Sequence, residues 1–360
     1  LGHVAAGRVF GSRISHRAAP NVRWLAWYTA CIDRWAGYQQ IFGLTEDEPM
    51  SNDKDTIDWS ERCWKEMLVY QRNAMWLDDT LDKLAAWMGL RPGMTAVDVG
   101  CGLGHLGYAF WPYFGRGGRY FGVDMAPDLL GDAEKGAAGW ARQGEASFQV
   151  GDAYDLPLPD DFADLAMCQT LLIHLDRPEK ALGEMTRVTK PGGLVICIEP
   201  DNLSVLLEKW YWSLDDLDID DQMLLRRVAL ICSKGSIKLG LGDSSIGNKI
   251  PFTMTNLGLT DIGIRQNDAV FYVEPPYQDR RQRDLLASAK KQWLDQARFE
   301  NLRERTRKYF VAGGGDPAEF DRYQRIQVRL RDVFRQQIEE GKYFACGTGH
   351  IYIVKGRKRG

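Results

Sequence analysis

The sequence predicts an α/β fold, a mostly parallel sheet with helices on both faces. Three observations carry that prediction. Short apolar runs of strand length recur through the middle of the chain, segments of helical period separate them, and the first run ends in closely spaced glycines. Alternation of this kind imposes right-handed crossovers, which place helices over both faces of the sheet. The 360 residues suffice for a self-sufficient core, and 44% hydrophobic with 26% charged residues excludes a disordered or fibrous chain.

The elements follow in order. No Asp or Glu precedes Asp33, whereas Arg8, Arg13, Arg17 and Arg23 are already present, and the first methionine is Met50. Residues 1–49 therefore read as an N-terminal extension, a leader or a segment outside the core, with a structural N-terminal helix as the alternative. Residues 58–89 carry Trp59, Trp64, Met67, Met75, Trp76, Leu84 and Trp87 at helical spacing, with no glycine or proline before Gly89. Two helices are expected there, and residues 50–92 are assigned to an N-terminal helical lid. The core then spans 93–360. Its strand runs are 94–99, 119–124, 147–152, 163–168 and 193–198, with helices expected at 127–142 and 178–189. Two later strands are expected at 260–273 and 346–355. Apolar positions at helical spacing among Arg, Lys, Gln and Glu predict helical insertions near 203–235 and 279–340.

Charge and cysteine content narrow the function. Forty-six basic against forty-nine acidic residues give a net charge of −3, which argues against blanket attraction to phosphate backbones, so no nucleic-acid partner is expected. No apolar stretch approaches the length of a membrane span. The seven cysteines contain no C-x-x-C pair, so neither a metal site nor a disulfide framework is expected, and the thiols fit a reducing, cytoplasmic compartment.

The densest chemical signal is Asp98-Val-Gly100-Cys-Gly102-Leu-Gly104-His-Leu-Gly107 at the end of the first strand. Glycines belong where a chain turns tightly and lets a ligand approach its backbone. Residues 102–107 match G-x-G-x-x-G by letter, so a dinucleotide site has to be considered. Asp124, ending the second strand, is an acid suited to ribose hydroxyls in either case. Asp98 favours a ligand carrying an ammonium group over a pyrophosphate. Gly151-Asp152-Ala153 after the third strand, Gln169-Thr-Leu-Leu-Ile-His174-Leu after the fourth, and Arg187-Val-Thr-Lys-Pro-Gly-Gly193 complete the series.

In these motifs, over roughly residues 90–200, the sequence resembles the class I S-adenosylmethionine-dependent methyltransferases. The likeness is to the small-molecule branch that includes ubiquinone and menaquinone C-methyltransferases and natural-product enzymes. The resemblance implies a Rossmann-like seven-stranded sheet with an antiparallel last strand, plus helical lid insertions. It further implies that Gly100, Gly102 and Gly104 pass beneath the methionine part of the cofactor, with Asp98 toward its amino group. Asp124 would hold the ribose, Met125 would pack on the adenine, Asp152 would accept from its N6 amine, Ala153 would offer a backbone N–H, and Gln169 would lie beside the methionine.

Methyl transfer requires alignment and exclusion of water, and a base helps only a hydroxyl or carbon-acid acceptor. By location, His174 is the first candidate for that base and Glu199, at the carboxyl end of the fifth strand, the second. Trp64, Tyr70 and Trp76 are candidates to shield a sulfonium. Glu274-Pro-Pro-Tyr277 echoes a signature of amine-directed methyltransferases but falls after the wrong strand, and reads as a turn. The acids Asp215, Asp216, Asp218, Asp220 and Asp221 read as a helix start, and Arg280, Arg281, Arg283, Lys290 and Lys291 as a solvated helix face. The expected function is methyl transfer to a small organic acceptor. A nucleic-acid or protein methyltransferase, a non-catalytic cofactor-binding module and an NAD-dependent oxidoreductase are the alternatives.

Overall fold

The computed structural model describes residues 75–207, 211–214 and 217–360. The expectations for residues 1–49, for the first of the lead-in helices with Trp64 and Tyr70, and for Asp215 and Asp216 lie outside the described residues. From Met75 on, the chain forms α1 (Asp78–Met88), β1 (Thr95–Val99), α2 (His105–Phe114), β2 (Arg119–Asp124), α3 (Pro127–Trp140), β3 (Glu145–Val150), β4 (Ala163–Gln169), α4 (Pro178–Val188) and β5 (Thr189–Pro200). There follow α5 (Asn202–Leu207), β6 (Tyr211–Trp212), α6 (Ile219–Lys238), α7 (Ile250–Asn256), β7 (Thr260–Gln266), β8 (Val270–Val273), α8 (Arg280–Leu294), α9 (Gln296–Ala312), α10 (Pro317–Glu339), β9 (Ala345–Thr348) and β10 (Ile351–Arg357).

Seven strands form one sheet in the order β3-β2-β1-β4-β5-β10-β7. The first five are parallel, and β10 runs antiparallel to both β5 and β7. The Rossmann-like sheet with its antiparallel last strand is thus present. Every residue of β1 is buried, as a strand covered on both faces requires. One face packs Ala96, Leu165, Met167 and Ile196 against Phe110 and Phe114 of α2. The other packs Val97, Val99, Ala166 and Cys197 against Leu182 and Met185 of α4. The alternation of neighbours along β1 and β4 between the two faces is the period of two expected of a strand.

The late strands differ from expectation. The runs at 260–273 and 346–355 each break in two: β7 and β10 join the large sheet, while β8, β9 and β6 form a separate antiparallel sheet in the order β6-β9-β8. The first break falls at Asn267. Its backbone N–H donates to Ile351 O at 2.9 Å, and its side-chain carbonyl accepts from Ala269 N at 2.7 Å, which turns the chain out of the ladder. Likewise the 203–235 region is not helical throughout, because β6 interrupts it.

The helices α6, α8, α9 and α10 share a third core with the small sheet, including Leu224, Val228, Val273, Leu286, Phe310 and Phe334. Each starts on an aspartate whose carboxylate accepts from a first-turn amide: Asp218, Asp279, Asp295 and Asp316. Asp221 pairs with Arg322 at 2.8 Å and Arg329 at 3.3 Å, tying α6 to α10. Contact between α6 and α9 is closer still. A Cβ on Gly235 would lie 1.7 Å from Tyr309 O, so no larger residue fits without separating the helices. The Glu274–Tyr277 segment is a turn in this region, where the Tyr277 hydroxyl donates to Tyr343 O at 2.9 Å.

Candidate functional site

Strand order reverses between β1 and β4, because β2 and β3 lie to one side of β1 and β4 and β5 to the other. The crevice at the carboxyl ends of strands about such a point is where sheets of this class bind ligands. The glycine loop leaves β1 there. Gly100, Gly102 and Gly104 have φ of 67°, 51° and 76°, the left-handed region that residues with a Cβ enter at a cost. A Cβ on Gly100 would lie 2.7 Å from Leu171 Cδ1, so the loop and the segment after β4 need this glycine to pack together. At Gly102 a Cβ would meet nothing within 4 Å. This part of the loop is open, and a side chain would project into that space.

Asp124, at the end of β2, joins the two loops. Its carboxylate accepts from Gly102 N at 2.8 Å and from Ala126 N at 3.0 Å. Met125 beside it is 79% exposed, which excludes a core role. Asp152 is exposed and accepts from Tyr154 N at 2.8 Å, holding the turn after β3, with Ala153 half-buried next to it. Asp98 is buried in β1 and accepts from the Tyr120 hydroxyl at 2.7 Å. In register, Asp98 lies opposite Met167 of β4, and Gln169 follows two residues on, so Asp98 and Gln169 occupy the same sheet face. Gln169 is buried. Its amide donates to Met75 Sδ at 2.7 Å, and its Oε1 has no hydrogen-bond partner. Between Asp98 and Asp124, burial and the two carboxylates push the Cys101 thiol well up. It stays protonated at neutral pH and is no nucleophile.

The two proposed bases part company. His174 is exposed and closes the short 3-10 turn Leu172–His174 after β4. Glu199 is fully buried. Its Oε1 accepts from Leu171 N at 2.8 Å and Leu172 N at 2.9 Å, its Oε2 from Ile173 N at 3.4 Å, and the Cys168 thiol lies 3.7 Å away. A carboxylate so committed to backbone amides holds the turn that carries His174. Trp76 packs edge-on against Phe110, ring centroids 5.4 Å apart, and so belongs to the core under α2.

The structure therefore brings the glycine loop, Asp124, Met125, Asp152, Ala153, Asp98, Gln169, His174 and Glu199 to the carboxyl end of the sheet, Glu199 being buried against the turn that carries His174. Sequence reasoning missed Tyr120 as the partner of Asp98 and Met75 as that of Gln169. A tyrosine and a methionine at apolar positions carry no mark that distinguishes them from core residues. Among the described residues no group of His, Cys, Asp and Glu is arranged to hold a metal ion, and no helix is long and apolar enough to cross a membrane.

Residues 97–197, from within β1 to within β5, match the family described as "Methyltransferase domain". An uncharacterized methyltransferase of Schizosaccharomyces pombe is 39% identical over 113 residues, which are 30% of this chain and 40% of that protein. The demethylmenaquinone methyltransferase of Desulfitobacterium hafniense is 35% identical over 109 residues, covering 30% and 43%. That of Halalkalibacterium halodurans is 32% identical over 133 residues, covering 37% and 52%. The chain thus spans about half the length of the curated relatives it matches. Among solved structures, a SAM-dependent methyltransferase from Aquifex aeolicus aligns over 58% of this chain and 90% of its own, with a TM-score of 0.38 and 19% identity.

Proposed function

Residues 97–197 being a class I S-adenosylmethionine-dependent methyltransferase domain, we propose that the protein transfers a methyl group to a small organic acceptor. The observation that carries the reading is the convergence at the topological switch point. Three left-handed glycines, the Asp124 carboxylate and the buried Gln169 amide meet where the strand order reverses. The residues fit the cofactor. Gly102 leaves open space that a Cβ would fill, Met125 offers an apolar side chain to solvent, and Gln169 keeps a buried acceptor atom unsatisfied. A buried acceptor of that kind costs free energy unless a ligand donor reaches it.

Asp98 and Gln169 are assigned to the amino-acid end of the cofactor, Asp124 to the ribose, and Met125, Asp152 and Ala153 to the adenine. When bound, S-adenosylmethionine supplies a sulfonium-activated methyl, so the chain's residues chiefly orient the two reactants and exclude water. His174, on its turn at the crevice rim, is assigned to take a proton from a hydroxyl or carbon-acid acceptor. Glu199 acts through that turn, as a positioning residue. The lid is assigned to the helices of 203–235 and 279–340, together with residues 50–92. A small acceptor is supported by the demethylmenaquinone named for two relatives. A reducing, cytoplasmic setting fits the free thiols of Cys101, Cys168, Cys197, Cys232 and Cys346.

Calorimetry tests the site. The wild type is expected to bind S-adenosylhomocysteine, whereas Asp124→Ala and Gly102→Val are expected to lose binding. Equal binding by all three removes the assignment. Labelled cofactor incubated with a metabolite extract tests the acceptor: label in a small product supports the reading, and label only in RNA, DNA or protein overturns it.

A further inference from the structure

Gln169 is held in an unusual way. Its side-chain amide donates to the thioether of Met75, at 2.7 Å, while its carbonyl Oε1 is buried and has no partner. A thioether sulfur accepts hydrogen bonds and cannot donate them. Met75 therefore decides which end of the amide turns toward it: the NH2 faces sulfur, and the carbonyl is left facing the other way as an acceptor. Met75 is itself fixed. Its carbonyl accepts from Asn267 Nδ2 at 2.8 Å, and Asn267 is anchored at its backbone N–H by Ile351 and at its side-chain carbonyl by Ala269. The adjoining Asp268 carboxylate accepts from Thr80 of α1 at 2.8 and 2.9 Å. The corner between β7 and β8 thus brackets the chain on both sides of Trp76 and sets the sulfur over the end of β4.

We propose that Met75 is a positioning residue of the cofactor subsite. Its thioether takes the Gln169 amide N–H and so presents the Gln169 carbonyl, on the same sheet face as Asp98, as a fixed acceptor for the ammonium group of the cofactor's amino-acid end. The inference rests on the cofactor reading above and adds to it the orientation of Gln169 and the residue that sets it.

Packing and orientation make opposite predictions for two variants. Met75→Leu keeps an apolar side chain of similar volume and removes the acceptor. Met75→Gln keeps the length and an acceptor oxygen but places a polar group in a buried position. If Met75 orients Gln169, Met75→Leu weakens S-adenosylhomocysteine binding by about tenfold, the loss of roughly one hydrogen bond, and Met75→Gln stays within about threefold of wild type. Affinity for methylthioadenosine, which has no amino-acid moiety, is expected to be unchanged in both and serves as the control for folding. Gln169→Leu, with Met75 intact, is expected to show the same selective loss; undiminished S-adenosylhomocysteine binding by Gln169→Leu overturns the inference even if a Met75 variant fails to fold. Retained binding by Met75→Leu, equal losses in the two Met75 variants, or equal loss of both ligands overturns the inference while leaving the cofactor reading in place. Failure of the wild type to bind either ligand removes the reading itself.

Discussion

Glu199 shows how far a single side chain can depart from what its place in the sequence suggests. Its position at the carboxyl end of a central strand points to the crevice, yet its oxygens collect three backbone amides of the turn after β4. Glu199→Gln keeps the shape but replaces one acceptor oxygen with a donor that faces those amides. It is expected to lower stability by about 1–3 kcal/mol, read from urea denaturation. Turnover should fall through the displaced turn while its pH profile keeps the wild-type shape. Unchanged stability together with a lost limb of the pH profile would return Glu199 to the role of a base. At this scale the glycine loop and the acids at strand ends were legible, because glycines before a helix and acids at strand ends are marks that stand out in the sequence. Burial was not legible: nothing in the letters around Glu199 says that Leu171, Leu172 and Ile173 turn their amides toward it.

At the scale of elements, α4 illustrates how a helix is fastened to the loop between β3 and β4. Arg187 pairs with Glu184 at 2.7 Å and Asp160 at 2.8 Å, and it donates to the carbonyls of Leu156 and Leu158, while Glu184 also accepts from Leu156 N at 2.9 Å. The Arg187 guanidinium, its nearest partner, holds the Glu184 carboxyl below its ordinary value of 4.5, with the Leu156 amide adding to the effect against the cost of burial. A carboxyl lowered in the folded state stabilises above its ordinary value, and that contribution disappears as pH falls through the folded one. Glu184→Gln is therefore expected to cost about 1 kcal/mol at neutral pH. Urea midpoints of variant and wild type should draw together as pH falls below 4.5 and through the lower folded value. Strands β1 to β5 and the helices between them were legible from period and punctuation. The late strands were half legible: their apolar runs were visible, but the turn at Asn267 depends on a backbone bond to Ile351, far along the chain, and no local pattern announces it.

For the molecule as a whole, the large sheet and the helical cap keep separate cores. The family match ends within β5, so α6 and α8 to α10 lie in the part for which the sequence offers no motif. Contact between α6 and α9 is where that cap is least tolerant of change. Gly235→Ala would set a methyl against Tyr309 O and is expected to cost about 1–3 kcal/mol or more. Limited proteolysis should then cut within 279–340 at protease levels that leave the wild type intact. An uncut variant of wild-type stability would show that the helices yield without loss.

The strand that fills the gap between β5 and β7 is translated after both of them. On the ribosome, β1 to β5 can pair as they emerge, since each finds a neighbour already made. β7 cannot: its place lies one strand away from the nascent edge until β10 appears. Through that interval β5 and β7 both carry open ladders, the kind of surface that invites aggregation, and α8 to α10 are made while the large sheet is still missing its sixth rung. Completion of this protein is thus a closing event of long sequence separation, slow by its topology, and it is the step at which a chaperone would have most to offer.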